Sequence, residues 1–368
     1  MMIVALALAG AVAGAAEDAA AEMKWVEGYE LTLEGLGWPS ERDAYRRLPL
    51  RMEKTAPEAV WNLSDHSAGV AVRFESDAPS IHVRWHIINP NLAMDHMPAT
   101  GVSGVDLYTR DGKTWRWIGT GRPYETQEEA TLIKGLSKKN REYILYLPLY
   151  NGVHSVQIGV PAGSDLRPAA PWRSGRKPVV FYGTSILQGG CASRPGMAYP
   201  AIVGRKLEVE SINLGFSGAA RSEPEMADIL AELNPSVFVI DPLPNMGAVP
   251  VEERLTNLLR VLKRKHPFTP VVLVESAGYR GEFVRGVRDP GKLQINRSMR
   301  KVYDASVKDW NGLLFYVEGG RLFGPDGEGT VDGVHATDLG FLQMADAITP
   351  VVKAALKAGE RAAGQKGL

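Results

Sequence analysis

Along residues 25–160, short runs alternate apolar and polar positions. The clearest are 68–74, 81–85, 105–108, 143–147 and 153–158, most of them bounded by turn formers. A period of two with one apolar face is the pattern of half-buried strands, and this spacing predicts an all-β sandwich. Beyond residue 177 the period changes. Residues 178–183, 209–214, 237–241, 270–275 and 313–317 are mostly continuous apolar runs, as in strands buried on both faces of a parallel sheet. Helical patterns lie between and after them, at 197–207, 222–233, 250–265, 293–309 and 338–358. Strands alternating with helices predict a doubly wound α/β domain over residues 178–360. The stretch between the two textures, 161–177, is rich in Pro, Gly and Ser and lacks a periodic apolar face, so it reads as a linker.

Charge narrows the classes of function. Lys plus Arg and Asp plus Glu both number 42 in the 368 residues. With no basic excess to hold a phosphate backbone or an anionic membrane, nucleic-acid binding is disfavoured. Residues 1–16 form an apolar run closed by small residues, with Ala13-Gly14-Ala15 suiting a cleavage site, although no basic residue precedes the run. A signal peptide and a secreted or periplasmic protein are expected. The run is too short to span a bilayer and no other stretch is expected to, so stable membrane insertion is not expected. Cys191 is the single cysteine, which excludes an intramolecular disulfide and a CxxC metal site. A small buried filler is its expected role.

Ligands of doubly wound sheets sit beyond the carboxyl ends of the strands, so candidate chemistry is sought there. Ser185 follows the first apolar run directly, in Gly183-Thr184-Ser185-Ile186-Leu187. Leu187 stands where a GxSxG elbow needs Gly, so this is not that motif, and the serine alone could be a helix cap. Gly218 lies after the second run, where a glycine lets a backbone N–H approach a ligand. Asn245 ends Asp241-Pro-Leu-Pro-Asn245 after the third run, and could equally be a turn residue. Asp332-Gly-Val-His335 allows a short turn to bring a carboxylate to an imidazole. The chain has no HExxH, P-loop or GxGxxG, which disfavours metalloprotease, nucleotide and dinucleotide readings.

Taken in this order, the four elements resemble the four sequence blocks of SGNH hydrolases. Residues 182–200 look like the GDSL subfamily whose N-terminal domain carries a GxDLY motif, here Gly104-Val-Asp106-Leu-Tyr108. Thr184 departs from the Asp of GDSL, and Asn245 lacks the usual flanking pattern. The resemblance covers about residues 55–350. It implies a five-stranded, flavodoxin-like SGNH sheet behind a jelly-roll-like sandwich. It also implies a catalytic triad of Ser185, His335 and Asp332, with an oxyanion hole formed by the N–H groups of Ser185 and Gly218 and the amide of Asn245. That chemistry needs no cofactor and no metal.

Relatives of this two-domain type suggest removal of acetyl and other small acyl groups from an acylated carbohydrate. Acyl transfer, lipid ester hydrolysis, or sugar binding at a vestigial site are the alternatives. The β domain is expected to wall the acceptor cleft near residues 94–108 and read the sugar, leaving the chemistry to residues after 177. Trp61, Trp85, Trp115 and Trp117 are expected mainly in the sandwich core, and His96 in a loop. Residues 279–292 are long for a strand-to-helix connection and could cover the substrate.

Overall fold

Both textures of the sequence become sheets. In the computed structural model, residues 22–277 and 290–364 are described. The expected leader, 1–16, lies outside them, as does the connection 279–292 up to residue 289.

The first sheet is antiparallel and runs β1 (Met23–Glu27), β9 (Val153–Pro161), β4 (Ile81–Ile87), β7 (Gln127–Ile133). The second runs β10 (Leu166–Pro168), β3 (Ala71–Ser76), β8 (Arg141–Tyr146), β5 (Val105–Asp111), β6 (Thr114–Gly121), with β2 (Thr32–Glu34) also paired to β3. Their inner faces bury Val72, Phe74, Val83, Trp85, Leu107, Leu145 and Ile158 against one another. The stretch expected as a linker carries β10, so its first half is part of the sandwich rather than a spacer. Its Pro-rich composition fits a three-residue edge strand, which needs few ladder bonds.

Alternation along β5 explains the GxDLY motif. Val105 and Leu107 point into the sandwich, so Asp106 and Tyr108 must point to the outer face. That face is also covered. Ala71, Tyr108, Ile144 and Tyr146 pack on Ala201, which belongs to the α/β half. Asp106 is fully buried there, taking Arg194 Nη1 at 2.7 Å and the Gly196 N–H at 3.0 Å. The same Arg194 Nη1 reaches the Tyr108 hydroxyl at 2.5 Å. A Cβ on Gly196 would lie 2.3 Å from the Tyr108 ring, so only glycine allows this approach. The motif therefore clasps the segment that follows Ser185.

The third sheet is parallel, with order β12 (Ser211–Gly215), β11 (Val179–Gly183), β13 (Val237–Asp241), β14 (Val271–Val274), β15 (Leu314–Val317). This is the flavodoxin-like 2-1-3-4-5 order. Helices cover both faces, which is why the strands read as continuous apolar runs. Val179, Phe181, Val237 and Val239 meet α3 (Ser185–Gln188), α4 (Tyr199–Leu207) and α8 (Asp338–Gly364). Val180, Tyr182, Phe238 and Ile240 meet α5 (Pro224–Ala231), α6 (Val251–Lys265) and α7 (Pro290–Ser306). Trp38, Leu48, Met52 and Val60 join this second core, so the N-terminal chain is built into the hydrophobic centre of the α/β half.

Against expectation, among the described residues one helix, α8, is long and apolar enough by length and composition to cross a membrane. Its apolar side is already occupied. Phe341, Met344, Ala345, Ile348, Val352 and Leu356 are buried on the sheet.

Removing one partner of a buried, hydrogen-bonded ion pair strands the other, at a cost of about 3–5 kcal/mol. Asp106→Ala is therefore expected to lower the unfolding free energy in urea by about 3 kcal/mol or more. A loss below about 1 kcal/mol would show that the clasp is not a structural tie.

Candidate active site

Ser185 is the first residue of α3, one turn of helix that begins two residues after β11. Thr184, the departure from GDSL, caps that turn, its hydroxyl accepting from the Ile186 N–H at 3.4 Å. A threonine keeps the acceptor that an aspartate would supply there. The turn stops at once because Gly189 is left-handed, at φ +114°. The N–H groups of such a first turn have no partners inside the helix and face whatever lies beyond the strand end. Ser185 itself is 7% exposed.

Asp332 and His335 sit in the loop ahead of α8. The Asp332 Oδ1 accepts the N–H groups of Val334 and His335, both at 2.8 Å, and its Oδ2 meets His335 Nδ1 at 2.7 Å. Burial would raise this carboxyl, but the hydrogen bonds from the His335 ring and from the two backbone N–H groups outweigh it and pull it down to about 2. The carboxylate is thus ionised and fixes the ring so that Nε2 stands 3.0 Å from Ser185 Oγ. The backbone pairing of Val331 with His335 closes the loop. Such a chain can move a proton from a hydroxyl to an imidazole whose cation a carboxylate stabilises.

Gly218 follows β12, in a left-handed conformation (φ +71°) with open space where a side chain would lie. Asn245 ends a short 3-10 turn after β13. Its amide is oriented by its neighbours, the oxygen facing the N–H groups of Gly218, Ala219 and Ala220 at 3.2–3.3 Å, so the NH2 is turned away from them. The two residues are therefore in one cluster. The Gly218 N–H, however, is shared with Asn245.

Four residues hold this assembly and carry no motif. Tyr150, from the β domain, donates its hydroxyl to the Ser185 carbonyl at 3.1 Å. Gln188 accepts the Ser217 N–H at 3.0 Å and donates to the Leu149 carbonyl and to His66 Nδ1, each at 3.0 Å. Arg47 is fully buried and gives its N–H groups to four carbonyls, those of Leu63, His66, Asn213 and Gly215. Burial, then the Arg47 charge, pushes His66 down to about 4, so its ring is neutral and can accept. Only Gln188, three residues after Ser185, had a sequence signal, because one helical turn brings it beside the serine.

Within 94–108, the stretch expected at the acceptor cleft, some residues are buried in the domain contact and one faces the site. Asp106 and Tyr108 are clasped under the 194–196 segment, and Gly101 packs on the Ala192 carbonyl. Trp85 is core, Trp115 lies in the domain contact, and Trp61 is partly buried beside the second α/β core. Trp117 is 49% exposed. His96 does reach the site, its ring 5.4 Å from that of His335 in an edge-to-face arrangement.

Two family matches cover most of the chain. Residues 176–353 match the GDSL-like Lipase/Acylhydrolase family, and residues 23–166 match the N-terminus of SGNH-hydrolase-type esterases, GxDLY. None of the curated proteins matches. Among solved structures, a GDSL-like lipase from Bacteroides ovatus is 32% identical with a TM-score of 0.84, covering 91% of this chain and 98% of that one. The salicylyl-acyltransferase SsfX3 of a tetracycline biosynthetic pathway is 19% identical (TM-score 0.73; 90% and 97% covered). An acetyl xylan esterase, Est2A, from Butyrivibrio proteoclasticus is 11% identical (TM-score 0.55; 91% and 99% covered). The last two share the fold. With a relative of that identity spanning nearly the whole chain, and both halves matched in order, this protein belongs to the GDSL-like lipase/acylhydrolase family, as an SGNH-type hydrolase with an N-terminal GxDLY domain.

Proposed function

We propose that this enzyme hydrolyses small acyl esters, acetyl foremost, on carbohydrates through a triad of Ser185, His335 and Asp332. The observation that carries the reading is the unbroken path from Asp332 to His335 at 2.7 Å and on to Ser185 Oγ at 3.0 Å. His335 takes the Ser185 proton as Oγ attacks the ester carbonyl, and later returns it to the leaving alcohol. The oxyanion is met by the N–H groups of Ser185 and Gly218 and by the Asn245 NH2. Water, activated by His335, then releases the acid from the acyl-enzyme. The carbohydrate acceptor and the acetyl group draw support from the acetyl xylan esterase likeness. The apolar leader supports export to where polysaccharides are met. The acyltransferase likeness supports a second reading, in which an alcohol replaces water at the acyl-enzyme.

A fluorophosphonate is expected to label Ser185, because a triad-activated serine is nucleophilic. Persistent labelling of Ser185→Ala would put the nucleophile elsewhere. The same protein should release acetate from acetylated oligosaccharides. Acyl appearing on an added alcohol in place of free acetate would select the transfer reading.

Asn245→Ala should lower kcat by about 10²–10³ with KM little changed, since an oxyanion donor acts in the transition state. A folded variant with near-normal kcat would remove Asn245 from the oxyanion hole.

Tyr150 meets Ser185 through the backbone carbonyl and packs its ring beside His66, so it is a positioning residue. Losing one neutral hydrogen bond costs about 0.5–1.5 kcal/mol, so Tyr150→Phe should lower kcat roughly 3–10-fold with KM unchanged. The loss should be equal on p-nitrophenyl acetate and on an acetylated oligosaccharide. A loss confined to the oligosaccharide would mean that Tyr150 reads the sugar instead.

A further inference from the structure

Two side chains beside the triad are unused by the hydrolytic reading. Cys191 follows the nucleophile turn in a left-handed conformation (φ +72°) and is buried, 6% exposed. His96 comes from the β domain, on the Met94–Met97 loop. With His335 they form a cluster in which one nitrogen of each ring and the Cys191 sulfur all lie within 4.8 Å of one another. We propose that His96, Cys191 and His335 form a binding site for a divalent ion of the zinc class, and that filling it switches the hydrolase off. The inhibition rests on the function proposed above; the binding does not.

The donor set favours this class of ion. Two imidazoles and a thiol are borderline-soft ligands that suit zinc and disfavour calcium or magnesium, which take oxygen. Each imidazole is also oriented for it. His96 Nδ1 lies 2.8 Å from Asp95 Oδ1, and His335 Nδ1 lies 2.7 Å from Asp332 Oδ2. A carboxylate on Nδ1 sets the tautomer and leaves Nε2 free to ligate, as in carboxylate–histidine–zinc arrangements. The separation agrees too. Zn–N bonds of about 2.0–2.1 Å at a tetrahedral angle hold two imidazole centres roughly 5.2 Å apart, and these two stand 5.4 Å apart. Ligand atoms around such an ion are roughly 3.3–3.6 Å apart, so the cluster must close by about an ångström. The His96 side chain is 30% exposed on its loop and has room to move.

Cys191 is not itself a nucleophile here. Burial, then the Asp332 and Asp95 carboxylates, push its thiol up to about 12. Binding forms the metal–sulfur bond and sends the thiol proton to solvent, while the two imidazoles ligate as neutral rings. The cost to the enzyme is direct. The lone pair on His335 Nε2 that would accept the Ser185 proton is committed to the ion, so acylation stops.

The test uses the full chain, freed of metal with a chelator. Co2+ should bind in one equivalent and give a thiolate-to-cobalt charge-transfer band, and Zn2+ should displace it. Cys191→Ser should abolish the band, and His96→Ala should weaken Co2+ binding at least ~10-fold. In parallel, the Zn2+ concentration that halves p-nitrophenyl acetate hydrolysis, measured against each variant's own metal-free rate, should rise ~10-fold or more in both variants. Absence of the band from the wild-type protein would overturn the site. So would half-inhibition at one Zn2+ concentration in all three proteins. A band in a protein that hydrolyses no ester would uphold the site and overturn the proposed function instead.

Discussion

Everything at the carboxyl edge of the parallel sheet depends on holding the chain between Gly183 and Gly196, which leaves β11, turns once around Ser185 and departs. One helical turn satisfies few of its own backbone groups, and buried groups cannot be left bare. The Ser185 carbonyl is instead taken by the Gly189 and Gly190 N–H groups and by the Tyr150 hydroxyl. The outgoing segment is pinned by Asp106, which binds Arg194 and the Gly196 N–H, and by Asp338, which binds Ser193. The GxDLY motif is thus a part of the foundation of the Ser185 turn that happens to lie on another sheet.

That arrangement changes what the β domain is for. The groups proposed to react all lie after residue 177, but the contacts that support them do not divide at that boundary. Tyr150 and His66 come from before the boundary, and Trp38 to Val60 fill a core beneath the α/β helices. Interfaces between freely moving domains are small and mostly polar. This one combines the Asp106–Arg194 pair, an apolar contact around Tyr108 and Tyr146, and a shared hydrophobic core, so it transmits position rather than permitting motion.

The parts legible in the sequence were those in which local pattern and tertiary environment agree. All five parallel strands were visible because burial on both faces leaves an unbroken apolar run, and their helices because each has one wet side. Strands β6 and β7 escaped for the opposite reason. Gln127, Glu128 and Glu129 open an edge strand half in water, where polar residues are a protection against further pairing. Strand β10 hid in a Pro-rich stretch. In the candidate site, Ser185, Gly218, Asn245, Asp332 and His335 could be singled out because each sits at a fixed offset from a strand or helix end. Tyr150, His66 and Arg47 could not. They act through backbone carbonyls and neutral rings on distant segments, and no spacing rule records which distant side chain a fold will bring to a carbonyl.

The same supports set the electrostatics. Burial is the largest influence on several titratable groups within the α/β half and its lining, and it leaves most of them neutral. His66 is pushed down to about 4, the Cys191 thiol up to about 12, and Asp241, hydrogen-bonded by Tyr199 at 3.0 Å, up to about 8. Asp332 goes the other way, down to about 2, because three hydrogen bonds reward its charge. Near neutral pH, then, the carboxylate in direct contact with His335 keeps its charge, as does the buried Arg47 guanidinium, while His66, the Cys191 thiol and Asp241 are neutral. An imidazolium forming on His335 would meet the Asp332 carboxylate in direct contact with its ring. The turn around Ser185 is meanwhile steadied through an uncharged tyrosine, glutamine and histidine, and the buried Arg47 directs its charge at four backbone carbonyls, so none of these supports competes with Asp332 for a charge on His335.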